Sequence, residues 1–298
     1  MSPRRRGALR LALLLALPLA AVAALPLVRS PDASPAMGEL PIQVTASVPP
    51  QAWLVRRIGA ERVSVEVLLP PGSSVHTYEP SPRQVRRAAS SRLLVEVGHP
   101  ALLFERRLLA GVRSRPGIEI VSTAVGAPPL PVATGEEIDP HVWLSPAAIR
   151  FTAREIAAAL ARLDPAGAPR YRAGLAALLV DLQRAEAEAR RLLADPPRRR
   201  VYVYHPAWGY LLREMGLEQV ALEAHGKEPG PRQLRALVEG ARRDGARAIF
   251  VQQGFADRPA RAIAAEIGAE VVALDPLAED WAANLPRVAA ELRGALGG

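Results

Sequence analysis

The chain has 298 residues, of which 49% are apolar; it has no cysteine and carries a formal charge of +8. That length can hold two domains with separate cores, and that apolar fraction excludes a disordered chain. The absence of cysteine excludes disulfides and thiolate metal sites, and the basic excess does not define a nucleic-acid surface. Arg4, Arg5, Arg6 and Arg10 supply half of it, and without them 34 basic residues face 30 acidic ones. The other arginines are scattered among glutamates and aspartates, with no aromatic interleaving of the kind a nucleic-acid groove needs.

The N-terminus reads as a targeting segment. Basic residues through Arg10 precede an apolar run from Leu11 to Val28, and Ala21-Val22-Ala23 offers a small-x-small cleavage site. The run contains Pro18 and Pro26 and is short for a membrane span of about 20 residues. Residues 1–29 are therefore expected to be a signal peptide or an N-terminal anchor, and residues 30–40 a disordered leader. The mature part is expected outside the cytoplasm, where a chain without cysteine is stabilised by packing and any bound metal.

From Pro41 onward, strand and helix patterns alternate. Ile42, Val44, Ala46 and Val48 alternate with polar residues at period two, and Pro50 opens a helix that ends near Gly59. Val63, Val65 and Val67 form a second strand. Ser81-Pro82 caps a helix, Leu93–Val97 is a strand, Ala101–Val112 a helix and Ile118–Val121 a strand. Ser145-Pro146 opens a helix to about Leu163. A long helical stripe follows from Tyr171 to Leu193 and stops at Asp195-Pro196-Pro197. Beyond it come a strand at Val201–Tyr204, a helix at Trp208–Met215 with Gly216 past its end, and a helix at Pro231–Arg243. A strand at Ala248–Gln252, a helix at Arg258–Ile267, a strand at Glu270–Leu274 and a final helix at Asp280–Leu296 complete the chain. This pattern predicts an α/β protein of two lobes with parallel sheets, residues 41–166 and 198–298, joined by a long rigid helix within 167–197.

Three of the five histidines sit in contexts that present them. They are His76 in Val75-His76-Thr77-Tyr78-Glu79-Pro80, His141 in Asp139-Pro140-His141-Val142-Trp143, and His205 in Tyr204-His205-Pro206-Ala207-Trp208. Asp275, in Leu274-Asp275-Pro276-Leu277, could add a carboxylate or simply cap the following turn. His205 and Asp275 follow strands, and ligands in open α/β sheets gather at the carboxyl ends of strands. The four would therefore meet in the cleft between the lobes. Imidazole and carboxylate are the ligands this chain has left for a borderline metal such as zinc. His99, in Gly98-His99-Pro100, reads as a turn residue. His225 lies on a loop, with a role near the cleft mouth as its alternative.

These strings together resemble the metal receptors of zinc and manganese ABC importers, the extracytoplasmic solute-binding proteins typified by the zinc-uptake receptor of Gram-negative bacteria. The strings that carry the resemblance are Gly72-Ser73-Ser74-Val75-His76-Thr77-Tyr78-Glu79-Pro80, Asp139-Pro140-His141-Val142-Trp143-Leu144-Ser145-Pro146 and His205-Pro206-Ala207-Trp208-Gly209-Tyr210. Gly226-Lys227-Glu228-Pro229 and Leu274-Asp275-Pro276-Leu277 support them. The resemblance implies His76, His141 and His205 as nitrogen ligands and Asp275 at a carboxylate position of variable use. It implies Zn2+ as the transported ion and a membrane ABC permease as the partner of a monomeric, non-enzymatic receptor. Manganese-type members tend to replace the third histidine by a carboxylate, so His205 favours Zn2+ over Mn2+ or iron.

Two departures stand out. The stretch Pro128–Ile138 is short and has no histidine, where many zinc members carry a long histidine-rich loop. Pro206 stands where many members place an acidic residue, which leaves His205 without an assigned partner. The rival reading is a zinc hydrolase with Glu79 as general base. Against it, His-Glu-x-x-His and Gly-x-Ser-x-Gly are both missing. A surface adhesin has no sequence feature behind it, and nucleotide use has no glycine-rich motif.

Overall fold

The computed structural model describes residues 40–132, 137–223, 230–254 and 258–297. The expected signal segment, nearly all of the leader, and His225 lie outside the described residues. Among the described residues, no helix is long and apolar enough to cross a membrane.

The first half builds a parallel sheet from β1 (Ile42–Ala46), β2 (Val63–Val67), β3 (Leu93–Glu96) and β4 (Glu119–Ser122), in the order β2-β1-β3-β4. Helices α1 (Pro49–Gly59), α2 (Pro82–Ser90), α3 (Leu103–Arg113) and α4 (Pro146–Leu163) belong to this half. In β1, Thr45 is buried together with Val44 and Ala46, because the strand is interior to the sheet. The period-two pattern alone suggests one solvated face. Capping follows the sequence cues. Ser81 Oγ accepts from the backbone N–H of Gln84 at α2, and Ser145 Oγ does the same for Ala148 at α4, each with proline next in the chain.

Helix α5 (Ala168–Leu192) follows, within the expected connector. Asp164 sets the corner before it: its carboxylate accepts from Arg62 Nε (2.7 Å), the Tyr171 hydroxyl (2.6 Å) and the Gly167 N–H (3.0 Å). The Arg62 guanidinium, first of all, holds that carboxyl down at about 2.

The second half repeats the first. Strands β5 (Arg200–Val203), β6 (Glu218–Ala221), β7 (Ala248–Gln252) and β8 (Glu270–Leu274) are parallel in the order β6-β5-β7-β8, with helices α6 (Gly209–Glu214), α7 (Pro231–Arg243), α8 (Arg258–Ile267) and α9 (Trp281–Leu296). Gly216 has φ +74, the left-handed conformation expected past the end of α6. The sequence pattern did not announce β6. Glu218-Gln219-Val220-Ala221 is short and half polar, and it is a strand because β5 offers it an edge. Its register pairs Arg200 with Glu218 and Val203 with Ala221. The ladder runs on, with Leu222 N–H donating to Val203 O (2.8 Å) and Glu223 N–H to Tyr204 O (3.0 Å).

The described residues form one compact unit. One continuous core includes Val44, Leu54 and Leu160 of the first half, Leu178 of α5, and Val203, Leu212 and Leu285 of the second. Helix α5 packs against α1, α4 and α9. Two indoles bridge the halves: Trp143 Nε1–H donates to Pro276 O (2.8 Å), and Trp281 Nε1–H donates to Trp143 O (3.0 Å). Glu214 of α6 accepts from the Ser145 hydroxyl and the Ala147 N–H (3.3 Å) at the start of α4.

At Gly174, α5 closely approaches the backbone of α1. A Cβ there would stand 2.6 Å from Ile58 O, a backbone atom that cannot swing aside. Gly174→Ala should therefore cost about 1–3 kcal/mol through overpacking, despite alanine's higher helix propensity. Urea denaturation of the metal-free protein checks this, and an unchanged or raised midpoint would show that the two helices separate freely.

Candidate metal centre

Each histidine is delivered by a different local device. His76 lies beyond β2 on the loop begun by Pro70-Pro71-Gly72, where Gly72 takes φ +76 and Ser73 N–H closes a turn on Pro70 O. The Ser74 hydroxyl accepts from His76 N–H (3.2 Å), and Tyr78 N–H donates to Ser74 O (3.0 Å). Gln84 fastens both ends of this loop. It accepts from the Tyr78 hydroxyl (2.7 Å) and donates to Leu68 O (2.8 Å).

His141 stands just ahead of a short 3-10 turn, Val142–Leu144. A single oxygen, Asp139 Oδ1, accepts from both its backbone N–H (2.8 Å) and its ring Nδ1 (2.7 Å). Both residues are buried, at 3% and 2% exposure. Trp143 packs edge-on against the imidazole, with ring centroids 5.2 Å apart. His205 leaves the carboxyl end of β5, and its Nδ1 meets Glu223 Oε1. Glu223 leaves the end of β6, the neighbouring strand, and the β5–β6 register sets the two side by side.

The three rings converge. His76 Nε2 lies 3.1 Å from His205 Nε2, which lies 3.2 Å from His141 Nε2. One ligand atom from each falls within 4.8 Å of the others. Nitrogen ligands around a tetrahedral zinc stand about 3.3 Å apart, from Zn–N bonds of about 2.0–2.1 Å. Since Asp139 and Glu223 are acceptors, the Nδ1–H of His141 and of His205 is the donor in each pair. In a neutral ring so held, Nε2 is a bare lone pair, and the two Nε2 atoms face each other. Two such lone pairs repel, and a cation between them turns the repulsion into coordination.

Asp275 stands outside this group. Its Oδ1 accepts from Leu277 N–H (2.8 Å), and its backbone oxygen accepts from Asn284 Nδ2 (2.8 Å), so its observed bonds close the turn after β8. Glu79, the general base considered for a hydrolase, is exposed and pairs with Arg107 (2.9 Å). His99 acts as a turn residue: its Nδ1 accepts from Ala101 N–H (3.2 Å), and its oxygen accepts from Leu102 N–H (3.1 Å). Glu223 is the site residue that sequence reasoning missed. The only signal for it was a strand too short and too polar to be read as one.

Desolvation drives the His76 imidazole below its usual value, to about 3, helped by the neighbouring His141 and His205 rings. Burial also lowers His141, against the opposing pull of Asp139. Both shifts keep the rings neutral, the form that binds metal.

The chain belongs to the ZnuA family, whose model, described as zinc-uptake complex component A, periplasmic, matches residues 44–291. The solved structure of a ZnuA deletion mutant with zinc bound is 36% identical, with a TM-score of 0.80, and covers 87% of this chain and 99% of its own. FpvC of Pseudomonas aeruginosa in complex with Mn2+ is 28% identical, with a TM-score of 0.75 over 86% of this chain and 99% of its own. Iron-binding protein YfeA of Yersinia pestis is 25% identical over 224 residues, 73% of this chain and 71% of its own. The protein is therefore a metal-binding receptor of this family, which comprises substrate-binding receptors rather than enzymes.

A histidine whose folded-state value lies below its unfolded one binds fewer protons folded than unfolded. Stability from His76 is thus fully present above about 6.5 and falls as pH drops from there toward about 3. The unfolding midpoint of the metal-free protein should fall with pH across that window, and the fall should be shallower in His76→Ala. Calorimetry from pH 3.5 to 7 reads the difference, and a steeper fall in the variant would contradict the assignment.

Proposed function

We propose that this chain is the extracytoplasmic zinc receptor of an ABC importer. It captures Zn2+ between two lobes and hands it to a membrane permease. The observation that carries this reading is the meeting of three imidazole Nε2 atoms, two of them with Nδ1 held by carboxylates. Imidazole suits zinc, whereas manganese prefers hard oxygen ligands, and among the described residues no carboxylate oxygen joins the three nitrogens. Zinc in the ZnuA deletion mutant, at 36% identity, supports the same cargo. His76, His141 and His205 are the proposed ligands. Water completes the tetrahedron, and Asp275 is left to its turn.

Capture follows from exposure. His76 is exposed, His205 half-buried and His141 buried, so an arriving ion meets the ligands in that order. Each exchange replaces a water on the ion by a nitrogen already aimed at it, and little ordering entropy remains to be lost.

Metal content by mass spectrometry, with zinc and manganese competition titrations, tests the reading on the wild type and three variants. One tightly held zinc that excess manganese does not displace is expected for the wild type. His141→Ala should lose at least about 100-fold in affinity, since it removes a ligand and strands Asp139. His76→Ala should lose less, as the most exposed ligand. Asp275→Asn keeps the turn and should stay within about tenfold of wild type. A larger loss in Asp275→Asn makes that carboxylate a ligand, and a preference for manganese makes the chain a manganese receptor of the same family.

A further inference from the structure

His141 and His205 are oriented in physically different ways. Asp139 holds His141 from two residues away, through one oxygen that binds both its backbone and its ring. That pairing is local and forms wherever the Asp139-Pro140-His141 turn forms. His205 has no such neighbour. Pro206 follows it, with neither an acidic side chain nor an N–H, and Ala207 N–H turns back onto His205 O (2.8 Å). Two side chains of the β6 segment support this loop: Gln219 Oε1 accepts from Trp208 N–H (2.8 Å), and Glu223 meets His205 Nδ1.

We propose that Glu223 is the positioning residue of the metal site, and that with Asp139 it supplies the two negative charges that balance a divalent ion. This rests on the zinc-receptor reading and deepens it. Three neutral imidazoles contribute no charge, and Asp139 and Glu223 contribute one negative charge each. A dication among the three Nε2 atoms brings the enclosed group to neutrality, which offsets the cost of taking its charge out of water. Glu223 does a second thing. By accepting from Nδ1 it fixes the His205 tautomer with Nε2 bare, and it sets the ring plane that aims this lone pair at His141 and His76. An acidic residue supplied by the adjacent strand thereby replaces the one that Pro206 displaces from the chain.

The test measures zinc affinity by competition titration in the purified wild-type protein, Glu223→Gln, Glu223→Ala and Glu79→Gln. It also reads the His205 tautomer of the wild type by nitrogen-15 NMR. Glutamine can still accept from Nδ1 but carries no charge, so Glu223→Gln should bind zinc about 10–100-fold more weakly, with an unchanged metal-free unfolding midpoint. Glu223→Ala should lose more than Glu223→Gln. Glu79→Gln removes an exposed charge on the His76 loop and should bind like wild type. The NMR should place the His205 proton on Nδ1.

Binding by Glu223→Gln within about threefold of wild type would overturn the proposal while leaving the zinc-receptor reading standing. A His205 proton on Nε2 would overturn it as well, and that result needs no variant to fold. A wild type that holds no zinc would remove both readings together.

Discussion

Two imidazole Nε2 atoms held 3.2 Å apart cannot be an isolated local arrangement. Left to themselves, the rings would rotate until a donor faced an acceptor. Each is prevented at its far side, His141 by the buried Asp139 and His205 by Glu223, with Trp143 packed against the His141 ring. The rest of the molecule can be read as the means of holding these rings against their mutual repulsion. Two parallel sheets of the same strand order contribute the loops at the carboxyl ends of their strands, where His76 follows β2 and His205 follows β5.

Holding the rings requires that the two halves stay fixed, and the packing provides this. The core is not divided at α5. It passes from the first sheet through α5 onto the second sheet. The indole bonds from Trp143 to Pro276 and from Trp281 to Trp143 cross between the halves, and Glu214 caps a helix of the other half. Separating the halves would expose a continuous apolar surface and break buried hydrogen bonds, each of which costs about 1–3 kcal/mol when left unsatisfied. The loop that carries His76 is the most exposed part of the site, and Gln84 fastens it at both ends.

The electrostatics of the site also depend on position. Burial pushes His141 and His76 toward the neutral form, which spares the metal from competing with protons. Carboxylates sit behind the rings rather than among the ligand atoms. Nitrogen thus faces the ion, and negative charge stands one bond path further out, an arrangement that suits a borderline cation better than a hard one.

Much of this was legible in the sequence. The alternation of short apolar runs with capped helices gave the two α/β halves, and the long stripe from Tyr171 to Leu193 gave the helix between them. Those signals are local, since hydrophobic period, caps and prolines act within a few residues. The Asp139–His141 pair was nearly legible for the same reason, as the two are only two residues apart. The sequence also named three histidines that the fold brings together. It did not decide how Asp275 would be used, because a carboxylate after a strand can point into a cleft or close its own turn. The observed bond to Leu277 closes the turn. Glu223 was beyond its reach altogether. Its partnership with His205 exists only because Glu218–Ala221, unremarkable on its own, pairs in register with β5. A residue eighteen positions away becomes a neighbour through hydrogen bonds that a sequence does not display.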